Sequence, residues 1–260
     1  MQKNLLKLLC VVLLGISISS ALPRTVTLVR AEGTPPTTQE ATGQKVKIKA
    51  ADGLEIVGLF YPVAEGKAPA VLLLHDGVNS KEQWLPYIPD FTGAGYNVLV
   101  VDQRGVGETG KSPTAGNSAA MQDADLPALM AWLRQQPSVD PDAIAPIGAR
   151  LGANVALRAC ANDEQCHAVV ALTPSTDFFG IKTGDAMKAM TKDKAVFLVA
   201  SQLGENGGKS LKALQAEASD NINFMTRLYG MGFQYGTDML REDPSLMPMV
   251  LLWLKTYNHS

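Results

Sequence analysis

Pro146–Asn154, PIGARLGAN, is the stretch on which the rest of the chain depends. The apolar run AIAPIG, residues 143–148, reads as a strand. It passes through a tight turn of small residues into a helix expected from Arg150 to Ala161. Gly148 and Gly152 flank the turn, and small residues there let a strand and a helix pass closely. Arg150 sits at the apex, a charged side chain at the end of a core strand. Pro146 lies inside that strand, although proline removes a ladder donor and is normally kept out of central strands.

Outward from the turn, strands and helices alternate. KVKIKA and LEIVGLFYP flank Asp52-Gly53, a hairpin signal. PAVLLLH (69–75) and YNVLVVD (96–102) are continuous apolar runs, as strands buried on both faces would be. HAVVALT, KAVFLVAS and NINFMTRLY supply three more strands. Between them, SKEQWLPYIPDFTGAG reads as a helix capped by Ser80 and ended by glycines. Leu126, Leu129, Met130 and Leu133 recur at helical spacing within 125–136, and Pro244–Tyr257 closes the chain as an amphipathic helix. A hairpin followed by repeated strand–helix units predicts a mostly parallel eight-stranded sheet with helices on both faces.

Composition sets the outer limits. The 260 residues are 46% hydrophobic and 18% charged, with a net charge of -2, so one α/β domain is expected and no basic patch points to nucleic acid. Residues 1–21 read as an export signal. Lys3 and Lys7 precede an apolar stretch, and Ser19-Ser20-Ala21 forms a small-residue cleavage site. Residues 22–44 read as a Pro/Thr-rich tether, leaving 45–260 as the folded domain. Export implies an extracytoplasmic protein, periplasmic or secreted, with no stable membrane span once the signal is removed. There Cys160 and Cys166 would form a disulfide. The alternatives are two free thiols or a metal site, but His167 leaves a metal set incomplete.

Gly105–Ser112, GVGETGKS, spells the phosphate-loop pattern GxxxxGK[ST]. Its context differs. Asp102, Gln103 and Arg104 separate it from the preceding strand, and Gly116-Asn117 follow too soon for a helix that would hold phosphates. No nucleotide, metal or organic cofactor is expected.

Taken together, LLLHDG, SKEQW, GYNVLVVDQRGVGET, the long segment from Asp125 to Ala159, and GTDML resemble the α/β-hydrolase superfamily. The likeness is to its small lidless members, the dienelactone-hydrolase-like and serine-peptidase-like esterases. It runs in order from Lys45 to the C-terminus and implies an α/β-hydrolase fold without a lid domain. In that family the turn G-x-S-x-G carries the nucleophilic serine. Here Gly148-Ala-Arg-Leu-Gly152 puts Arg150 in its place, and a guanidinium has no lone pair with which to attack a carbonyl. The same alignment places Gly204 at the acid position, with Glu205 one residue later as a possible substitute. It places Tyr235 at the histidine position, where a phenol is a poor base at neutral pH. His75, His167 and His259 all lie elsewhere.

The resemblance implies oxyanion donors at the N–H of Leu151 and near Gly77 or Val78. Together with Arg150 and Tyr235 they make a candidate site for a small anion. Arg150 could instead point to solvent, or pair with Glu205 or Asp76. Three functions compete: a pseudohydrolase that binds a small anionic ligand or a partner protein, a hydrolase with a displaced nucleophile such as Ser175, Ser201 or Tyr235, and a structural or interaction protein that uses the fold as a scaffold.

Overall fold

The computed structural model describes residues 43–63, 66–110, 118–202, 207–218, 222–232 and 234–259. The export signal, the tether up to residue 42, Gly204, Glu205, Lys111 and Ser112 lie outside them. Strands β1 (Gln44–Lys49) and β2 (Glu55–Tyr61) form the hairpin, antiparallel from Gln44↔Phe60 to Lys49↔Glu55. They are followed by β3 (Ala68–Leu74), β4 (Asn97–Val101), β5 (Val139–Ala149), β6 (Ala168–Leu172), the short β7 (Asp177–Phe178) and β8 (Ile181–Lys182), then β9 (Ala195–Ser201) and β10 (Asn223–Tyr229). The main sheet has eight strands in the order β1-β2-β4-β3-β5-β6-β9-β10, parallel from β4 onward. β7 and β8 form a separate two-stranded ribbon.

The apolar runs explain the two-sided core. Because side chains alternate along a strand, Leu72 and Leu74 of β3 enter one cluster while Val71 and Leu73 enter the other. β4 and β9 divide in the same way. On one face the sheet is covered by α3 (Leu126–Arg134), α4 (Leu151–Ala161) and α6 (Gly207–Glu217). On the other lie α1 (Ile88–Gly93), α7 (Asp238–Glu242) and α8 (Leu246–Tyr257). Each fully buried leucine contributes about 1.5–3 kcal/mol.

Three local expectations need correction. The segment after Ser80 begins as a 3-10 helix, Lys81–Tyr87, and becomes α-helical only over Ile88–Gly93. Pro86 lacks the N–H that an α-helix would use there, and Pro89 suits the first turn of α1. Ser80 does not cap: its hydroxyl bonds the Glu82 carboxylate. The helix expected from Asp125 is led in by α2 (Ser118–Ala120) and a π turn over Met121–Asp125. Pro146 does stand within the parallel sheet, opposite Leu72, but the ladder to β6 begins at Ile147, just past the missing donor.

Residues 173–194, between β6 and β9, hold the ribbon and α5 (Gly184–Ala189). No helix among the described residues is long and apolar enough to cross a membrane. Cys160 and Cys166 are disulfide-bonded, both buried, with Cα atoms 5.1 Å apart. Closing so short a loop stabilises by about 2 kcal/mol. The Cys160→Ala/Cys166→Ala chain is therefore expected to lose that much in urea unfolding. An unchanged free energy would mean that the Arg134–Asp163 ion pair, at 2.7 Å, holds the loop without the bond.

Candidate functional site

The β5–α4 turn is built by the two glycines. A Cβ on Gly148 would overlap the Gly152 carbonyl, and one on Gly152 would overlap the carbonyls of Leu74 and His75. Strand and helix therefore meet backbone to backbone, which forces the intervening residue into an unusual conformation. Arg150 has φ 47° and ψ −106°. Its N–H is fixed to Leu172 O at 2.8 Å, and Gly152 N–H to His75 O at 3.1 Å. Such backbone costs of order 1–3 kcal/mol. The other non-glycine residues with positive φ among those described, Thr173 (58°) and Phe179 (49°), lie on the neighbouring strand end and on the ribbon.

These neighbours position two aromatic rings against the arginine. Asn154, fully buried in the first turns of α4, donates to Ile181 O at 2.8 Å and accepts from Ser175 N–H at 2.9 Å. That clamps the ribbon to the elbow helix and sets the Phe178 ring 5.4 Å from the Arg150 guanidinium carbon. From the other side, Thr173 Oγ1 accepts the Gly236 N–H at 2.9 Å, and Tyr87 donates its hydroxyl to Thr237 O at 3.0 Å. The loop so held puts the Tyr235 ring 4.8 Å from the same guanidinium carbon. Contacts of this kind contribute about 0.5–1 kcal/mol or more.

Arg150 and Tyr235, paired by alignment in the sequence, are thus brought into contact through a ring face. Among the described residues no acceptor or carboxylate engages the guanidinium. Asp76 does not pair with it. The oxygens of Asp76 take the N–H groups of Val78 (2.9 Å) and Asn79 (2.8 Å) and the side chains of Asn79 and Gln83. Burial raises the Asp76 carboxyl, but these hydrogen bonds outweigh it and hold it below its ordinary value.

The oxyanion donors are only partly present. Leu151 N–H opens α4 and has no partner among the described residues, as first-turn amides commonly do. Val78 N–H is spent on Asp76. Gly77 N–H points back at His75 Nδ1, 3.1 Å away. The third-strand loop has turned its amides onto its own side chains, so the expectation of a free donor at Gly77 or Val78 is corrected. Val78 contributes its side chain instead, 73% exposed. A groove of about 990 Å³ opens here, with Val78, Val106, Arg150 and Tyr235 among its walls.

His75 is fully buried. Its Nε2 faces the Gln103 N–H at 2.9 Å while its Nδ1 faces that of Gly77. Burial, partly offset by Asp102, Asp76 and Glu82, pulls the imidazole down to about 4. A neutral ring accepts at one nitrogen only, so it takes one of these two N–H groups, that of Gln103 being the nearer, and the buried imidazole is a structural element.

The described part of the phosphate-loop spelling, residues 105–110, folds around a carboxylate. Asp102 Oδ1 accepts the Lys81 N–H and its Oδ2 accepts Lys81 Nζ and the Glu108 N–H, all at 2.8 Å. Gly105 N–H bonds back within the loop, to Thr109 O and Gly110 O. Gly107, with φ 56°, leaves no room for a Cβ beside the Asp102 carboxylate. Buried Arg104 completes the anchor through Asp125 and through Asp52 at 2.7 Å, a cluster that the sequence reading missed. The charged run DQR in so apolar a setting was its signal. Among the described residues no cluster of His, Cys, Asp and Glu could hold a metal ion.

Comparison with known proteins gives a consistent picture. Residues 69–232 match a family described as the alpha/beta hydrolase fold. A polyketide transferase of Stachybotrys chlorohalonatus is 33% identical over 141 residues, 53% of this chain and 46% of its own length. A thiohydrolase of Aspergillus aculeatus is 26% identical over 170 residues, 64% of this chain and 53% of its own. The chain spans about half the length of these curated relatives. Among solved structures, an esterase of Pyrococcus furiosus is similar with a TM-score of 0.70 at 19% identity, over 84% of this chain and 93% of the esterase. That similarity is one of fold.

Proposed function

The chain belongs to the alpha/beta hydrolase fold family, and from that premise we propose that it is a non-hydrolytic member that holds a small carboxylate ligand at its strand–helix elbow. One observation carries this reading: the strained elbow residue is Arg150, its guanidinium over two aromatic rings and without a protein acceptor among the described residues. A protonated guanidinium has no lone pair for attack, but its planar fork matches a carboxylate. The Leu151 N–H and the positive end of α4 lie beside it and favour the same charge. Backbone strain is retained at a position that performs no attack, which fits its use in binding. The chain's proposed location is extracytoplasmic, supported by the disulfide and the export-like first residues.

The competing reading, hydrolysis by a displaced nucleophile, draws on relatives named as thiohydrolases. The available hydroxyls support it poorly. Ser201 is fully buried at the end of β9, and Ser175 donates its hydroxyl to Asp177 O at 2.8 Å. Tyr235 is exposed, with its ring against a cation.

Short-chain nitrophenyl esters and an acyl thioester separate the readings. The wild type is expected to show no turnover above buffer, while the Arg150→Ser/Tyr235→His double variant gains slight activity. Wild-type turnover that disappears on mutation of a groove residue would restore the hydrolase. Acetate should also raise the melting temperature of the wild type and leave Arg150→Ala unaffected.

A further inference from the structure

Around the guanidinium the protein displays hydrocarbon that the fold does not use. Phe179 is 81% exposed at the tip of the ribbon, in edge-to-face contact with Phe178 at 5.1 Å. Its φ of 49° suits asparagine or glycine and strains an aromatic residue, as the two-residue turn of such a ribbon demands. The tip therefore incurs strain for a ring that buries almost nothing. On the loop after β3, Val78 is 73% exposed in the wall of the groove, and Gly77 beside it packs on Leu151. Tyr235, 38% exposed, completes the set. The acids of the same groove are already engaged: Asp238 by Arg241 at 2.9 Å, Glu82 by Ser80 and Lys81, and Asp76 by four hydrogen bonds.

We infer that the ligand is an amphiphilic monocarboxylate, its carboxylate on the Arg150 guanidinium and its aliphatic or aryl tail against Phe178 and Phe179 of the ribbon. This rests on the anion-binding reading above and adds the tail. A bare anion would leave the exposed rings without a role, and a neutral lipid would leave the guanidinium without an acceptor.

Calorimetric titration of the purified full chain with acetate, butyrate, octanoate and 1-octanol tests the inference. A half-buried methylene is worth about twofold in affinity, so octanoate should bind at least about tenfold more tightly than acetate. Octanol should bind at least about tenfold more weakly than octanoate. Phe179→Asn, which accepts positive φ, should keep or raise the melting temperature and leave acetate binding alone. It should also shrink the octanoate advantage to about threefold. Arg150→Ala should abolish the preference for octanoate over octanol. Equal binding of acetate and octanoate would overturn the amphiphilic ligand and leave the anion site standing. Octanol binding as tightly as octanoate, independent of Arg150, would overturn it in favour of an apolar site. Failure of every carboxylate to bind would overturn the anion site and this inference together.

Discussion

Asp102→Asn is expected to destabilise the fold by about 3–5 kcal/mol, measured by urea unfolding at neutral pH. The carboxylate is fully buried, and Lys81 beside it is 3% exposed. Burial pulls the Lys81 ammonium down, but hydrogen bonds to Asp102, Glu108 and Glu82 outweigh this and leave it above its ordinary value. Asparagine would turn a donor toward Lys81 Nζ and the Glu108 N–H, or toward the Lys81 N–H. In either case a buried donor loses its acceptor, and the ammonium loses its buried counter-charge. The exposed pair Lys45–Glu108 is the control, since Lys45→Ala should cost less than about 1 kcal/mol. Equal losses in the two variants would mean that the interior of this loop is open to water.

Stability is also expected to fall by about 2–3 kcal/mol between pH 6.5 and pH 4.5, through His75. The folded imidazole titrates at about 4 against 6.5 in an unfolded chain. Above pH 6.5 neither state binds the proton. As pH drops below 6.5 the unfolded chain takes it up and the folded one does not, so unfolding is progressively favoured until pH 4. The carboxylates held low, Glu82 at about 2 foremost among them, lose their contribution mainly below this window. His75→Asn should flatten the profile between pH 6.5 and pH 4.5. If the slope persists in that variant, the proton is taken up elsewhere.

The sheet is legible in the sequence because each buried strand is an unbroken apolar run. The turn at Asp52-Gly53 and the close pair Gly148 and Gly152 punctuate these runs where the chain reverses or crosses itself. The cysteine pair was readable from its spacing and from the export-like first residues. What escaped has common physical causes. The 3-10 segment follows from Pro86, whose effect depends on where the neighbouring helix begins. The ribbon at 177–182 has strands of two residues, too short for any periodicity, so Phe178 as a partner of Arg150 was invisible. The proximity of Arg150 and Tyr235 was legible only through the resemblance, because 84 intervening residues separate them in sequence. The turning inward of the Gly77 and Val78 amides depends on side-chain geometry that no pattern encodes.

The crossing of Gly148 and Gly152 has a mechanical consequence. Except where Gly207 opens α6 against the Ser201 carbonyl, the other helices rest on the sheet through side chains, which slide and change rotamer. At the elbow, carbonyl meets α-carbon with no such cushion between them. The start of α4 is therefore welded to the middle of the sheet, and Arg150 hangs from a fixed hinge pin. Any adjustment to an incoming molecule falls to the parts that are merely tethered: the guanidinium itself, the ribbon held by Asn154, and the Tyr235 loop held by Thr173.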